Sequence, residues 1–299
     1  MGSTAVGTML ASLAILTASS SPAFAQRLRC PPDSVRVGPN CVDKYEASVW
    51  SIPPANVELL RKARLGRVTL QDLQGGGASQ LGALVQTACT GNEYGAGFPR
   101  TGNWTTPVYA LSVAGVLPSS CITWFQAEQA CRLADKRLLR NEEWQAAAAG
   151  TPDPGVDDDQ ATTCATTSPA PALTGSRSGC KSNWGAHDMV GNVWEWTSTW
   201  MDQGAGCTSY SAEFGDDLSC TGANTVEATP SAAAESRVGR RGSLAQGGGA
   251  DQGPISKYFP GVITRGGNFS IGLRSGVFTT FVGAVPFTAS PGTGFRCGR

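Results

Sequence analysis

A loop-rich α+β fold with two helices is predicted by three features of the sequence. Gly (38) and Pro (18) are abundant among 299 residues and only 15% are charged, which favours short elements joined by long irregular segments. Two stretches, 123–134 and 141–149, carry the apolar period or the terminal signals of helices. Ten cysteines, all from Cys30 onward, supply cross-links to segments that have no core of their own. No internal repeat is visible, and residues 26–299 read as one domain.

Val6 to Ala18 is mostly apolar, and Ala23-Phe24-Ala25 offers a small-x-small cleavage site. Residues 1–25 are therefore expected to be a signal peptide, although they lack the usual Lys or Arg. The mature chain is then secreted, periplasmic or displayed on the cell surface. That segment is short for a span and no other apolar run reaches membrane length, so no transmembrane segment is expected. Formal net charge is zero, which gives no attraction to nucleic acid or anionic membranes.

Ser34–Val37 and Cys41–Glu46 alternate as an early strand pair. Residues 51–120 are poorly periodic, with a helix over 57–65, a break at Gly75-Gly76-Gly77 and no dense apolar set, and read as a long insertion. In the 123–134 helix Phe125, Ala127, Ala130, Cys131 and Ala134 share the core face, opposite Gln126, Glu128, Gln129 and Arg132. The 141–149 helix has Asn141 as N-cap, acidic Glu142 and Glu143 in its first turn, Trp144 as its anchor and Gly150 as its stop. Residues 151–181 and 201–260 are long loops, and the Asp157-Asp158-Asp159 run reads as solvated. Proximity suggests Cys30–Cys41, Cys164–Cys180 and Cys207–Cys220 as local disulfides, about 3 kcal/mol each if unstrained. With no CxxC and one histidine, His187, a Cys/His zinc set is not possible.

Residues 184–200, WGAHDMVGNVWEWTSTW, hold four of the eight tryptophans and read as a buried sheet core. Asp188 and Glu195 do not suit that core. Two carboxylates beside a Gly-Asn turn can gather around a hard cation, with backbone carbonyls completing its shell.

Six blocks then occur in order: Cys41-Val42-Asp43-Lys44-Tyr45-Glu46, Thr123-Trp124-Phe125-Gln126-Ala127, Lys136-Arg137-Leu138 with Glu143-Trp144, Val190-Gly191-Asn192-Val193-Trp194-Glu195-Trp196, Arg265-Gly266-Gly267 and Gly294-Phe295-Arg296-Cys297. Together they resemble the formylglycine-generating-enzyme (sulfatase-modifying factor) domain. The resemblance implies a C-type-lectin-like fold of two helices, short antiparallel strands and long loops. It implies a calcium ion held by the Asp188 and Glu195 side chains and the Gly191 and Val193 carbonyls. It also implies a Cys131–Cys297 disulfide, which leaves Cys89–Cys121 as the remaining pair. Where the family has a capping Thr this chain has Arg140, which cannot accept a hydrogen bond, so the cap is expected to shift to Asn141.

The oxidase of this family holds copper on two cysteines, and the positions that match them here are Ile271 and Gly276. Neither supplies a thiolate, so no copper is expected and formylglycine synthesis is excluded. The iron-dependent sulfoxide synthases of the superfamily need several histidines, which a single His187 cannot provide. Calcium-dependent sugar binding lacks its Glu-Pro-Asn or Gln-Pro-Asp tripeptide.

Residues 265–297 also resemble the ending RGG…GVF…P…GFR of the variable proteins of diversity-generating retroelements. In those proteins, error-prone copying of an adenine-rich template replaces residues between fixed ones. About 268–294 is then the variable segment, its ligand-binding positions being Phe269, Ser270, Ile271, Leu273, Arg274, Phe281, Gly283, Ala284, Phe287, Thr288, Ser290 and Gly292. The resemblance implies a non-catalytic binder of a protein or cell-surface ligand. The alternatives are an enzyme of the family or a generic non-catalytic paralogue.

Overall fold

Short runs of β-branched and aromatic residues pair into three small sheets. The structure, a computed structural model, describes residues 1–2, 29–83, 88–201, 208–209, 218–220 and 261–299. The expected signal peptide falls almost wholly outside the described residues, and the Cys207–Cys220 pairing lies outside them through Cys207. No helix among the described residues is long and apolar enough to cross a membrane.

Strands β1 (Ser34–Val37) and β2 (Asn40–Asp43) form the early hairpin, turning at Gly38, whose φ of 57° is left-handed. Next come β3 (Ala47–Ser51), α1 (Val57–Arg64), α2 (Leu70–Gly75), β4 (Ser79–Leu81) and β5 (Tyr109–Ser112). Helix α3 (Trp124–Leu133), β6 (Arg137–Leu138) and α4 (Asn141–Ala148) precede β7 (Trp194–Met201), β8 (Thr208–Ser209) and β9 (Leu218–Cys220). The chain closes with β10 (Gly261–Arg265), β11 (Thr280–Ala284), β12 (Thr293–Phe295) and β13 (Cys297–Gly298). The sheets run β1-β2-β13-β6, β12-β7-β10-β11-β9-β8 and β4-β3-β5, antiparallel except where β12 meets β7 and β11 meets β9. The mixed helix-and-sheet arrangement is the expected one, but with four α-helices rather than two, since α1 and α2 lie in the 51–120 segment.

The main core lies between α3 and the six-stranded sheet, where Ala127, Ala130 and Cys131 pack with Trp196, Val262 and Phe295. The small α3 residues let helix and strands approach closely. Residues 51–120 do not lack an apolar set: Ile52, Leu59, Ala63, Leu73, Tyr109, Leu111, Val113 and Val116 form a second cluster with the neighbouring Trp50. Its members are scattered along the sequence, and only the β4-β3-β5 pairing gathers them.

Thr123 caps α3 in a capping box with Gln126. This draws Gln126 inward, where its amide donates to the Phe98 carbonyl at 2.7 Å, while Phe125, expected in the core, is 38% exposed. The expected shift of cap to Asn141 does not occur. Arg140 is the N-cap of α4 without a side-chain bond to the helix N–H groups, its own N–H donates to Glu143, and the Asn141 N–H is taken by the Thr199 hydroxyl at 3.0 Å. Asp158 is not solvated. Its buried carboxylate accepts from the Thr166 and Thr167 N–H groups and the Ser168 hydroxyl, closing the 153–168 loop. Cys30–Cys41, Cys89–Cys121, Cys131–Cys297 and Cys164–Cys180 are all formed.

Candidate functional site

The residues after β10 begin with Gly266 and Gly267, both at positive φ. A Cβ on Gly267 would meet the Ser275 backbone at 2.6 Å, so only glycine permits the close return of the chain at Ser275. Asn268 then turns inward, its carboxamide oxygen accepting from the Ser270 N–H and hydroxyl. The Gly272 N–H donates to Thr166 of the disulfide-pinned loop at 2.9 Å, and Thr279 returns its hydroxyl to the Arg274 carbonyl at 2.7 Å.

The outcome is a segregation by position. Asn268, Gly272, Ser275, Gly276, Thr279, Thr280, Val282, Val285 and Pro286 are buried. Ser270, Leu273, Arg274 and Phe287 are exposed, and Phe269, Ile271, Phe281, Ala284, Thr288 and Ser290 are half-buried. Gly283 lies within β11. Gly292 departs from expectation: it is buried, and a Cβ there would stand 2.5 Å from the Asn268 amide nitrogen. It also presents its carbonyl to the Trp194 N–H, so it belongs to the frame rather than to the presented face.

Residues outside this segment border it. Val156, 58% exposed, lies near Gly272, whose Cβ would be 3.5 Å from its Cγ1. Phe281 and Trp194 have ring centroids 6.3 Å apart. Of the four tryptophans in 184–200, only Trp196 is buried; Trp194 is half-buried, Trp184 is 46% exposed and Trp200 37%. The buried-core reading of that block therefore holds for one ring in four, Trp184 lying before β7 and Trp200 near its far end. Exposure of Phe125 and Trp200 carried no signal in the residue pattern, where aromatic bulk reads as core.

Beneath the segment lies a buried charge cluster. The Arg296 guanidinium, fully buried, pairs with Glu195 at 2.8 Å and donates to the carbonyls of Asp43 and His187. Glu195 also accepts from the Trp144 indole at 2.7 Å. Glu46 accepts from the Asn192 amide and the Val193 N–H, and Asp188 from the Gly175 N–H at 2.7 Å. Three buried carboxylates thus share one arginine. Burial, reinforced by the Glu195 charge, pushes the Asp188 carboxyl up to about 7. Burial and the neighbouring Asp188 and Glu195 push Glu46 well above the usual range. Nearby, Lys136 bridges Asp33 and Asp43 at 2.8 Å each. His187 is half-buried, stacks near Tyr45 at 5.2 Å, and is held below its usual pKa by desolvation.

Ile271 and Gly276, the positions expected to match the oxidase cysteines, carry no thiol, and no free cysteine is found among the described residues. One triplet of the described residues, Cys89, Glu93 and Cys121, is close enough to hold a metal, but its two sulfurs are joined to each other.

No curated protein is matched by the chain. Among solved structures it is similar to the Major Tropism Determinant P3c variant (16% identity, TM-score 0.40) and I1 variant (17%, 0.40), each covering 87% of this chain and 50% of that one. It is also similar to PvdO from Pseudomonas aeruginosa (15%, TM-score 0.35, covering 87% of this chain and 80% of that one). The chain spans about half the length of the tropism determinants. A family model, the sulfatase-modifying factor enzyme 1-like domain, matches residues 99–299, about two thirds of the chain. The chain belongs to the sulfatase-modifying factor enzyme 1-like domain family, whose model spans α3, α4 and the buried Arg296–Glu195 pair, and it has the C-type-lectin-like fold.

Proposed function

We propose that this family member is a non-catalytic binding protein, secreted or surface-displayed, that presents residues 269–290 as a replaceable face toward a protein or cell-surface ligand. One observation supports the reading: positions with no shared chemistry are exposed or half-buried, while Gly272, Ser275, Gly276 and Thr279 between them are buried and bonded within the segment. Exposed positions of this kind change at ~0.5 kcal/mol or less each. The patch mixes aromatic, aliphatic and cationic groups, from which interface hot spots are drawn. The absence of thiols at Ile271 and Gly276 supports the non-catalytic half of the reading.

The test is a display library randomised at Ser270, Ile271, Leu273, Arg274, Phe281 and Phe287. Most members are expected to reach the surface folded, with single-variant stabilities within ~0.5 kcal/mol of the parent. Gly267→Ala and Gly292→Ala, which crowd Ser275 and Asn268, are expected to lose about 1–3 kcal/mol. Equal tolerance at both sets of positions would remove the basis for a presented face.

We further propose that Asp188 and Glu195, with the Gly191 and Val193 carbonyls, hold a structural calcium ion. The donor set fits on charge, since Glu46, Asp188 and Glu195 all lie near Arg296, with Arg177 acting further on Asp188. Glu195 is shared with Arg296 and Trp144, whereas Asp188 makes no ion pair among the described residues. Calcium at about a hundred times its dissociation constant adds ~2.7 kcal/mol to the folded state. The melting temperature is therefore expected to rise by roughly 5–10 °C between chelator and excess calcium. The rise is expected to vanish in Asp188→Ala; identical melting in the two buffers rejects the site.

A further inference from the structure

The first outward run of the presented segment, Phe269-Ser270-Ile271, is held by the backbone at both ends. The Phe269 N–H donates to the Asn192 carbonyl at 2.9 Å, and the Gly272 N–H to the Thr166 carbonyl at 2.9 Å. These two anchors are themselves joined, since the Asn192 N–H donates to the Ala165 carbonyl at 2.8 Å. Between them the Ser270 N–H is taken by the Asn268 side chain at 3.0 Å. Asn192 and Thr166 are buried, and Ala165 and Thr166 follow Cys164 of the Cys164–Cys180 disulfide. None of these bonds uses the side chain of Phe269, Ser270 or Ile271.

We propose that Asn192 is a positioning residue of the presented face: it fixes the course of 269–272, so that outward side chains are exchanged without moving the backbone that carries them. The inference rests on the presented-face reading and names what keeps that face in place. Asn192 has a φ of 55°, in the left-handed region that asparagine tolerates better than most residues with a Cβ. Its carboxamide is bonded on both sides. The oxygen accepts from the Ala172 N–H at 2.8 Å, while the nitrogen donates to the Ala172 carbonyl at 3.3 Å and to the Glu46 carboxylate. Asn192 thus joins four stretches, at Glu46, Ala165, Ala172 and Phe269, none of which lies in a strand or helix. Without regular pairing at any of them, the aim of the Asn192 carbonyl sets where Phe269 begins its turn. Support of this kind holds a binding loop in one shape and lessens the order lost on association.

Amide hydrogen exchange on the full chain tests this, and in the parent the Phe269 and Gly272 N–H groups are expected to be protected. Asn192→Gly keeps the left-handed backbone and removes the carboxamide. Phe269 exchange is then expected to quicken about ten-fold, with the Asp33 and Ala127 N–H groups, bonded elsewhere, unchanged. A peptide selected on the parent from a phage-displayed library of random peptides is expected to bind that variant about ten-fold more weakly. Asn192→Asp sets a second carboxylate against Glu46 and is expected to show the same losses; adding Glu46→Gln restores a donor and is expected to reverse them. Ser270→Arg and Ile271→Thr are expected to leave Phe269 and Gly272 exchange within about two-fold of the parent while changing peptide affinity. An unprotected Phe269 N–H in the parent overturns the proposal, whether or not any variant folds. So does parent-like exchange in Asn192→Gly, or exchange that quickens equally at Phe269, Asp33 and Ala127, which marks a role in the whole fold. Peptide affinity that follows Ser270→Arg and Ile271→Thr but not Asn192→Gly leaves the presented face standing and removes Asn192 from it. Quickened Phe269 exchange with affinity indifferent to the outward variants keeps Asn192 as the anchor of 269–272 and removes the replaceable face.

Discussion

Replacing Arg296 by methionine is expected to lower the unfolding free energy by about 3–5 kcal/mol, the cost of leaving a buried carboxylate without its cation. Arg296 is fully buried and meets Glu195 through both Nε and Nη2, so no water replaces the lost bonds. Glu46 and Asp188 lie in the same cluster and lose the positive group that they share, Arg177 acting on Asp188 as well. Methionine retains most of the volume, which separates the electrostatic loss from cavity formation. Urea denaturation in chelator measures the change as a fall in midpoint at constant slope. The double variant Arg296→Met, Glu195→Gln is expected to recover part of the loss, because the remaining amide carries no charge. A single variant within 1 kcal/mol of the parent would mean that the guanidinium does not balance these carboxylates.

Removal of the Cys131–Cys297 disulfide is expected to cost about 5 kcal/mol in the chain-entropy account, since it closes a loop of 166 residues. Both sulfurs are within the main core, so a Cys131→Ala, Cys297→Ala chain keeps its shape complementarity while its unfolded state gains freedom. Removing Cys30–Cys41, with a separation of 11, is expected to cost only about 3 kcal/mol. Calorimetry on both double variants ranks them; equal losses would show that native strain or residual structure, rather than loop length, sets the contribution.

Elements whose residues cooperate locally were legible. Ala127, Ala130 and Cys131 recur at helical spacing against the sheet, whereas the capping box of Thr123 with Gln126, which buries a residue expected on the outer face, was not read. Asp33, Asp43 and Lys136 are instead brought together across about a hundred residues, and no window contains the pattern. Phe125 shares the helix face that predicts burial, but Trp124 takes the place against β7 and leaves it outside. Gly292 looked like one more small passenger; its burial follows from Asn268, whose inward turn depends on Gly266 and Gly267. Asp158 reads as one acid in a run until the loop folds back and three donors converge on it. The expectation of missing cysteines at Ile271 and Gly276 comes only through resemblance, because an isoleucine and a glycine carry no mark of another residue type.

The last strand has a bearing on how altered copies of this chain are sorted. β13 lies beside β2, with Gly298 opposite Val42, and Cys41 and Arg299 exchange both backbone hydrogen bonds. The first hairpin thus waits for the final residues before its sheet is complete, and Phe295, Arg296 and Cys297 bring the core and its ion pair with them. A premature stop or a lost reading frame in 268–292 removes β13 and with it the Cys41–Arg299 and Arg296–Glu195 bonds. On the proposed reading of that segment as a replaceable face, a copy must be translated correctly through it before the first sheet is complete.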